Sequence, residues 1–99
     1  MEYVEVSTEP IVAHASVRDY AVVQNEDALV VAVWLEPLFT RTQRQEVMQS
    51  IAESLYQTTK KPTYVCADMD VFRSLQQGMD AQVAQSLLLL RGTYVVAGV

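Results

Sequence analysis

Apolar residues in the first half of the chain follow the two-residue period of a β-hairpin. Val17 to Gln24 and Ala28 to Leu35 are rich in β-branched residues, and the turn formers at 25–27 separate them. Both faces of the second segment are apolar. One face carries Leu29, Val31, Val33 and Leu35, and the other carries Ala28, Val30, Ala32 and Trp34. Such a strand is expected to be central in its sheet, or covered on both sides.

The next segment changes to the period of an amphipathic helix. Apolar residues recur at steps of three and four, namely Val47, Met48, Ile51, Ala52, Leu55 and Tyr56. Thr42 and Gln45 have the spacing of a capping box, the lysine pair at 60–61 suits the negative end of a helix, and Pro62 stops it. The pattern predicts a helix from about Gln43 to Thr59.

The last third of the chain combines strand and helix patterns. Thr63 to Ala67 is typical of a strand. Apolar residues then recur at helical spacing, namely Val71, Phe72, Leu75, Met79, Val83, Leu87 and Leu88. They predict either one long helix or two short ones broken at Gly78, with a stop at Arg91 and Gly92. The final segment, "TYVVAGV", is strand-like, and the sequence does not identify its partner.

The N-terminal segment leaves two alternatives open. Residues 7–16, "STEPIVAHAS", fit a short helix with Pro10 in its first turn, or an extended lead-in to the hairpin. The preceding "EYVEV", residues 2–6, fits a further edge strand. Together the elements predict a single α+β domain over residues 1–99, with helices packed on one face of a small sheet.

Composition narrows the class of protein. The 99 residues are 51% hydrophobic and 19% charged, which is typical of one ordered globular domain. A net charge of -5 disfavours nucleic-acid binding, which depends on basic residues that neutralise phosphates. The N-terminus is acidic and no apolar run approaches the ~20 residues of a membrane span, so the chain as given is expected to be soluble, unexported and without a transmembrane segment.

The stretch "TYVCADMDVF", residues 63–72, contains the side chains that are best suited to a metal or catalytic site. Cys66, Asp68 and Asp70, together with the single His14, supply ligand types for a transition metal. The simpler interpretation is structural: an aspartate before "VFRSL" is suited to cap a helix, and a lone cysteine in a strand is usually a small buried apolar residue. His14 has no partner at metal-ligand spacing. We favour the cap and assign neither a metal site nor a disulfide.

The sequence contains no recognisable catalytic signature. No nucleophile-elbow motif, cysteine–histidine pattern or glycine-rich phosphate loop occurs, so neither enzymatic activity nor a cofactor is predicted. The aromatic residues Trp34 and Tyr56 are assigned to the core.

Self-association is the interaction that the apolar residues favour. The last helix has more apolar residues than one core-facing stripe needs, and the C-terminal strand could pair across a two-fold axis. The candidate interface residues are Met79, Val83, Leu87, Leu88, Tyr94, Val95 and Val96. A homo-oligomer is therefore expected.

Two segments also resemble a known family. "SVRDYAVVQNEDALVVAVWL" and "TYVCADMDVFRSLQ", within residues 16–77, resemble the YhcN/YlaJ family of sporulation lipoproteins. Met69 stands where that family often has proline. The signal peptide and lipidated cysteine of such lipoproteins are not seen. The positions that carry the resemblance are Ser16, Val17, Ala21 to Val23, Asn25, Val31 to Val33, Tyr64, Val65, Asp68 and Asp70.

The resemblance implies a biological setting. The order helix, hairpin, helix, strand, helix also resembles BON domains and the ring-building domains of sporulation secretion complexes. We therefore expect a non-enzymatic structural or protein-interaction domain associated with sporulation or the cell envelope, with envelope or spore proteins as partners. If the chain is a trimmed lipoprotein domain, membrane or spore association follows. The alternative is a small-ligand or metal-binding module that uses the region of Cys66, Asp68 and Asp70.

Overall fold

The computed structural model describes residues 5–37 and 40–99, which form four helices and four strands. In chain order they are α1 Glu9–Val12, β1 Val17–Gln24, β2 Leu29–Leu35, α2 Arg41–Thr59, β3 Thr63–Cys66, α3 Met69–Gln76, α4 Ala81–Arg91 and β4 Val95–Ala97. The α+β class and the predicted order of elements are confirmed. The N-terminal alternative resolves to the short helix, with Pro10 in its first turn. Of the predicted edge strand at residues 2–6, residues 2–4 lie outside the described residues, and residues 5–6 do not belong to a strand.

The sheet is mixed, with the strand order β1-β2-β3-β4. Strands β1 and β2 form the predicted antiparallel hairpin. Strand β3 pairs parallel to β2, which requires a crossover, and α2 supplies it. Strand β4 pairs antiparallel to β3, with Val65 opposite Val95 and Thr63 opposite Ala97, so the partner of the C-terminal strand is β3.

The helices lie on both faces of the sheet, and their expected placement on one face is corrected. Helices α1 and α2 pack on one face over Leu29, Val31, Val33, Leu35 and Val65. Helices α3 and α4 pack on the other face over Ala28, Val30, Ala32, Tyr64 and Cys66. The physical reason lies in β2, whose two apolar faces both require a cover, as its alternation predicted. The domain is therefore a three-layer arrangement around one central sheet.

Helix α2 begins two residues earlier than predicted. Its capping box is formed by Thr40 and Gln43, not by Thr42 and Gln45: Oγ1 of Thr40 accepts from the Gln43 amide at 3.2 Å, and Oε1 of Gln43 accepts from the Thr40 amide at 2.9 Å. Both pairs have the required spacing, but only Thr40 has the extended backbone of a cap residue. Local spacing alone therefore leaves the start of the helix ambiguous.

The two lysines that were assigned to the end of α2 have different roles. Lys60 is exposed and adopts the left-handed conformation, with φ of 61°, as the C-cap. Lys61 is buried, and its Nζ donates to Oε1 of Gln24 at 2.8 Å and to the carbonyl of Asn25 at 2.7 Å. Through these two hydrogen bonds, Lys61 connects the segment before β3 to the tip of the hairpin.

The segment after β3 forms two helices, so of the two alternatives that the sequence left open the one with a break at Gly78 is correct. Gly78 has a φ of 101°, which only glycine adopts without strain. Asp80 then caps α4 by accepting from the Val83 amide at 2.9 Å. Helix α4 ends at Arg91, and Gly92 is its left-handed C-cap, at the predicted stop.

Candidate functional site

Asp68 is the residue at which β3 passes into α3. Its Oδ1 accepts from the amides of Asp70 at 2.9 Å and Val71 at 3.3 Å, so Asp68 is the N-cap of α3. The carboxylate therefore satisfies two backbone donors that the first turn of a helix otherwise leaves unpaired. The predicted capping role is confirmed.

Both aspartates of this stretch also pair with Arg91, which returns from the end of α4. Nε of Arg91 donates to Oδ2 of Asp68, and Nη2 donates to Oδ2 of Asp70 at 3.4 Å. The Asp68 side chain is 12% exposed and that of Asp70 is 70% exposed, so the first pair is the better shielded of the two. The pairing fastens the end of α4 to the beginning of α3.

Cys66 and His14 do not join these carboxylates in a metal site. Cys66 is fully buried, and desolvation raises the pKa of its thiol from 9.0 to about 11, which disfavours the thiolate that a metal ligand or nucleophile requires. His14 follows α1, which packs on the opposite face of the sheet. Within residues 5–37 and 40–99, no three side chains of metal-ligating type come together.

A cleft opens beside Asp68, where the parallel strands β2 and β3 end. Helix α2 follows β2 on one face of the sheet, whereas α3 follows β3 on the other face. Adjacent parallel strands whose connections diverge in this way leave a crevice at their carboxyl ends, the usual ligand position in open α/β sheets. The cleft has a volume of about 370 Å³ and is lined by Arg41, Arg44, Gln45, Met48, Ala67, Asp68, Gly92, Thr93, Tyr94 and Val95.

Arg41 and Arg44 bring positive charge to this cleft. Neither forms an ion pair with any acidic residue that the structure describes. The Nε atom of Arg44 is buried and has no hydrogen-bond partner among the described residues. Sequence analysis missed both arginines because each looks like an ordinary polar residue in the first turns of an amphipathic helix.

Arg44 also borders a second recess, which has a volume of about 250 Å³ and includes Trp34. Trp34 is 40% exposed, so its assignment to the core is only partly correct. One edge of its ring packs on Phe72 at a centroid distance of 6.3 Å, and the Arg18 guanidinium lies 5.3 Å from its centroid. Arg18 also pairs with Glu36 at 3.5 Å, so its charge is matched, unlike those of Arg41 and Arg44. Tyr56 is partly buried against the core, as predicted.

Helix α4 carries a stripe of exposed apolar side chains. Val83 is 50% exposed, Leu87 is partly buried, and Leu90 is 84% exposed. These residues follow the i, i+4, i+7 spacing and define what we name the outer stripe of α4. The stripe includes two of the predicted interface residues together with Leu90, which sequence analysis did not select.

The other predicted interface residues have different surroundings. Leu88 is 1% exposed and packs in the core, so its assignment to an interface is corrected. Met79 and Tyr94 are partly buried against the same cluster, and Tyr94 packs on Tyr64 at a centroid distance of 5.8 Å. Val95 and Val96 are partly buried in β4, which forms one edge of the described sheet.

Comparison of the chain with protein-family models, curated proteins and solved structures found no match. The resemblance to the YhcN/YlaJ family therefore stays a prediction. Among the described helices, none combines the length and apolar character needed to cross a membrane.

Proposed function

We propose that this protein is a non-enzymatic interaction domain that associates with a second copy of itself through the outer stripe of α4. The observation that supports the proposal is that α4 has apolar side chains on both its inner and its outer side. Its inner side buries Ala81, Ala84 and Leu88, whereas Val83 and Leu90 of the outer stripe are exposed to water. Burial of such a stripe against a partner is favourable by about 25 cal/mol per Å² of apolar surface before the costs of association.

The charge pattern of α4 supports a second copy as the partner. Residues 81–90 contain no charged side chain, although the chain has a net charge of -5. Depletion of charge is typical of interface cores, and here it would limit repulsion between two acidic molecules. Asp80 and Arg91 flank the segment with opposite charges. Antiparallel packing about a two-fold axis would bring unlike ends of the two helices together.

The size of the stripe indicates a weak association. Eleven residues of helix are roughly 16 Å long, and a standard interface buries about 800 Å² on each partner, more than one short stripe is expected to supply. We therefore expect a dimer whose population rises with concentration in the micromolar to millimolar range.

Light scattering coupled to size exclusion, over a concentration series, tests the proposal. The wild-type mass should rise above that of the 11.1 kDa chain as concentration increases. Leu90→Glu should weaken association by at least about tenfold, because it places a charge in the interface and removes a large apolar contact. Since Leu90 is 84% exposed, this variant should fold normally, which circular dichroism can verify.

Val12→Glu is the matched control for that experiment. Val12 is 52% exposed, and it belongs to α1 on the opposite side of the sheet. The control should associate like the wild type. A monomer that persists at high micromolar concentration refutes self-association, and a dimer that Leu90→Glu leaves unchanged refutes the role of α4.

The biological setting that we propose is sporulation or the cell envelope, with envelope or spore proteins as further partners. This part of the proposal is supported only by the resemblance of residues 16–77 to YhcN/YlaJ proteins. A promoter-reporter fusion followed through a sporulation time course should show induction during spore formation. Constant vegetative expression, or a source organism that does not sporulate, would contradict this setting.

A further inference from the structure

We propose that the cleft beside Asp68 binds a small organic anion, and that Arg41 and Arg44 hold its carboxylate or phosphate group. We name it the arginine cleft. The inference goes beyond self-association and does not depend on it, because the outer stripe of α4 contributes no residue to the lining of the cleft.

The position of the arginine cleft is the first argument. It lies at the carboxyl ends of the parallel pair β2 and β3, at the point where the following helices diverge to opposite faces. The main chain moves apart there and leaves a crevice. Its volume of about 370 Å³ is within the range of small-ligand sites.

Charge is the second argument. Two of the seven basic residues line this one cleft without a described acidic partner, in a chain with twelve acidic residues. The one carboxylate in the lining, Asp68, is already paired with Arg91, which reduces its repulsion of an incoming anion. The local field therefore favours negative charge, although the whole molecule is acidic.

The Nε of Arg44, which is buried and has no hydrogen-bond partner among the described residues, is the third observation. A buried donor without an acceptor is destabilising, and native proteins rarely retain one without a reason. Arg44 lines both the cleft and the recess beside Trp34. An anion in the cleft would accept from the guanidinium nitrogens that line it, and the planar fork of the group matches the geometry of a carboxylate or phosphate. The capping box of Thr40 and Gln43 already uses the Thr40 and Gln43 amides, and we assign anion binding to the arginine side chains.

The remaining lining describes the rest of the ligand. Met48, Ala67 and Val95 give an apolar surface, and Gln45 and Thr93 add neutral polar side chains. This combination suits a compact molecule with one acidic group and a short carbon body. It does not suit a bare divalent cation, which the two arginines would repel.

Nuclear magnetic resonance titration of the full ¹⁵N-labelled chain tests this inference. The probes are sodium succinate and inorganic phosphate at constant ionic strength, with neutral succinamide as the uncharged comparison. Saturable shifts should concentrate at residues 41–48, 67–68 and 92–95 for at least one anion, and the stronger probe identifies the preferred acidic group. Succinamide should cause no such shifts.

Variants then separate site binding from general charge effects. Arg44→Gln should weaken the binding of the preferred anion by about 10- to 100-fold, which is the usual effect of losing a hydrogen bond to a charged group. Arg44→Lys should give an intermediate loss, because it keeps the charge but not the fork. Arg73→Gln is the matched control: Arg73 is exposed on α3 and lies outside the lining of the cleft, so this variant removes one positive charge and should bind like the wild type.

Three outcomes would overturn the proposal. These are no saturable shift with either anion at about 10 mM, equal losses in Arg44→Gln and Arg73→Gln, or shifts located away from the cleft. Leu90→Glu, which should weaken self-association, should retain anion binding, so failure of self-association and failure of this site are distinguishable. Circular dichroism of each variant verifies that it is folded.

Discussion

Replacement of Asp68 provides the most direct test of how the joint between β3 and α3 is stabilised. Asp68→Ala removes the N-cap of α3, which is worth about 1 kcal/mol, and also the ion pair with Arg91. The Arg91 side chain is 41% exposed, so solvent limits the pair to roughly 1 kcal/mol or less. We expect a total loss of about 2 kcal/mol of unfolding free energy.

Two further variants separate the cap from the charge. Asp68→Asn keeps an oxygen that can accept from the amides of Asp70 and Val71, so it should lose only the contribution of the ion pair. Asp70→Ala is the control, because its carboxylate is 70% exposed and its contact with Arg91 is long, at 3.4 Å. It should cost less than about 0.5 kcal/mol.

Urea unfolding is the assay, followed by circular dichroism and by the fluorescence of Trp34, which packs on Phe72 of α3. Free energies are comparable where the denaturant slope is unchanged between variants. If Asp68→Ala is no more destabilising than Asp70→Ala, the capping role is refuted. If Asp68→Asn costs as much as Asp68→Ala, the ion pair is dominant and the cap contributes little.

Three other predictions concern pH, the start of α2 and its end. The unfolded chain loses the Cys66 proton near pH 9.0, whereas the folded chain keeps it until about pH 11, so rising pH favours unfolding across that interval. Urea titrations should show the wild type losing about 2 kcal/mol relative to Cys66→Ala there. Thermal and urea unfolding should show that Thr40→Ala costs about 1 kcal/mol and that Thr42→Ala does not, because Thr40 alone caps α2. Lys60→Gly should stabilise by about 0.5–1 kcal/mol, because glycine adopts the left-handed backbone at this C-cap without strain.

Each of these has a result that would contradict it. Parallel pH profiles for the wild type and Cys66→Ala would show that the thiol does not remain protonated in the fold. A larger loss of unfolding free energy for Thr42→Ala than for Thr40→Ala would show that the capping box is formed by Thr42 and Gln45. Destabilisation by Lys60→Gly would show that the lysine side chain contributes more than its backbone conformation costs.

Several features followed from the sequence alone because they depend on neighbouring residues. The alternation in β2 predicted a strand that is central in its sheet or covered on both sides. The strand is both, and apart from Trp34 its two apolar sets are buried under different helical layers, although the helices were expected on one face. An aspartate cap before α3 also followed from the sequence, which left open Asp68 or Asp70 and one helix or two; the structure selects Asp68 and a break at Gly78. Local periodicity, turn formers and caps act over short separations, so a single sequence contains enough information to place them.

The arrangement of those elements was decided only by tertiary structure. No local pattern states that β3 lies parallel to β2, or that α2 and α3 leave the sheet on opposite faces. These two features of the fold create the cleft and bring Arg41 and Arg44 near Asp68. Both arginines are more than twenty positions away from Asp68 in the chain. Lys61 is a similar case: it looks like a helix-end charge but is buried against the hairpin tip. Strand pairing and layer assignment are non-local because they depend on which apolar faces can be buried together, and that depends on the whole chain at once.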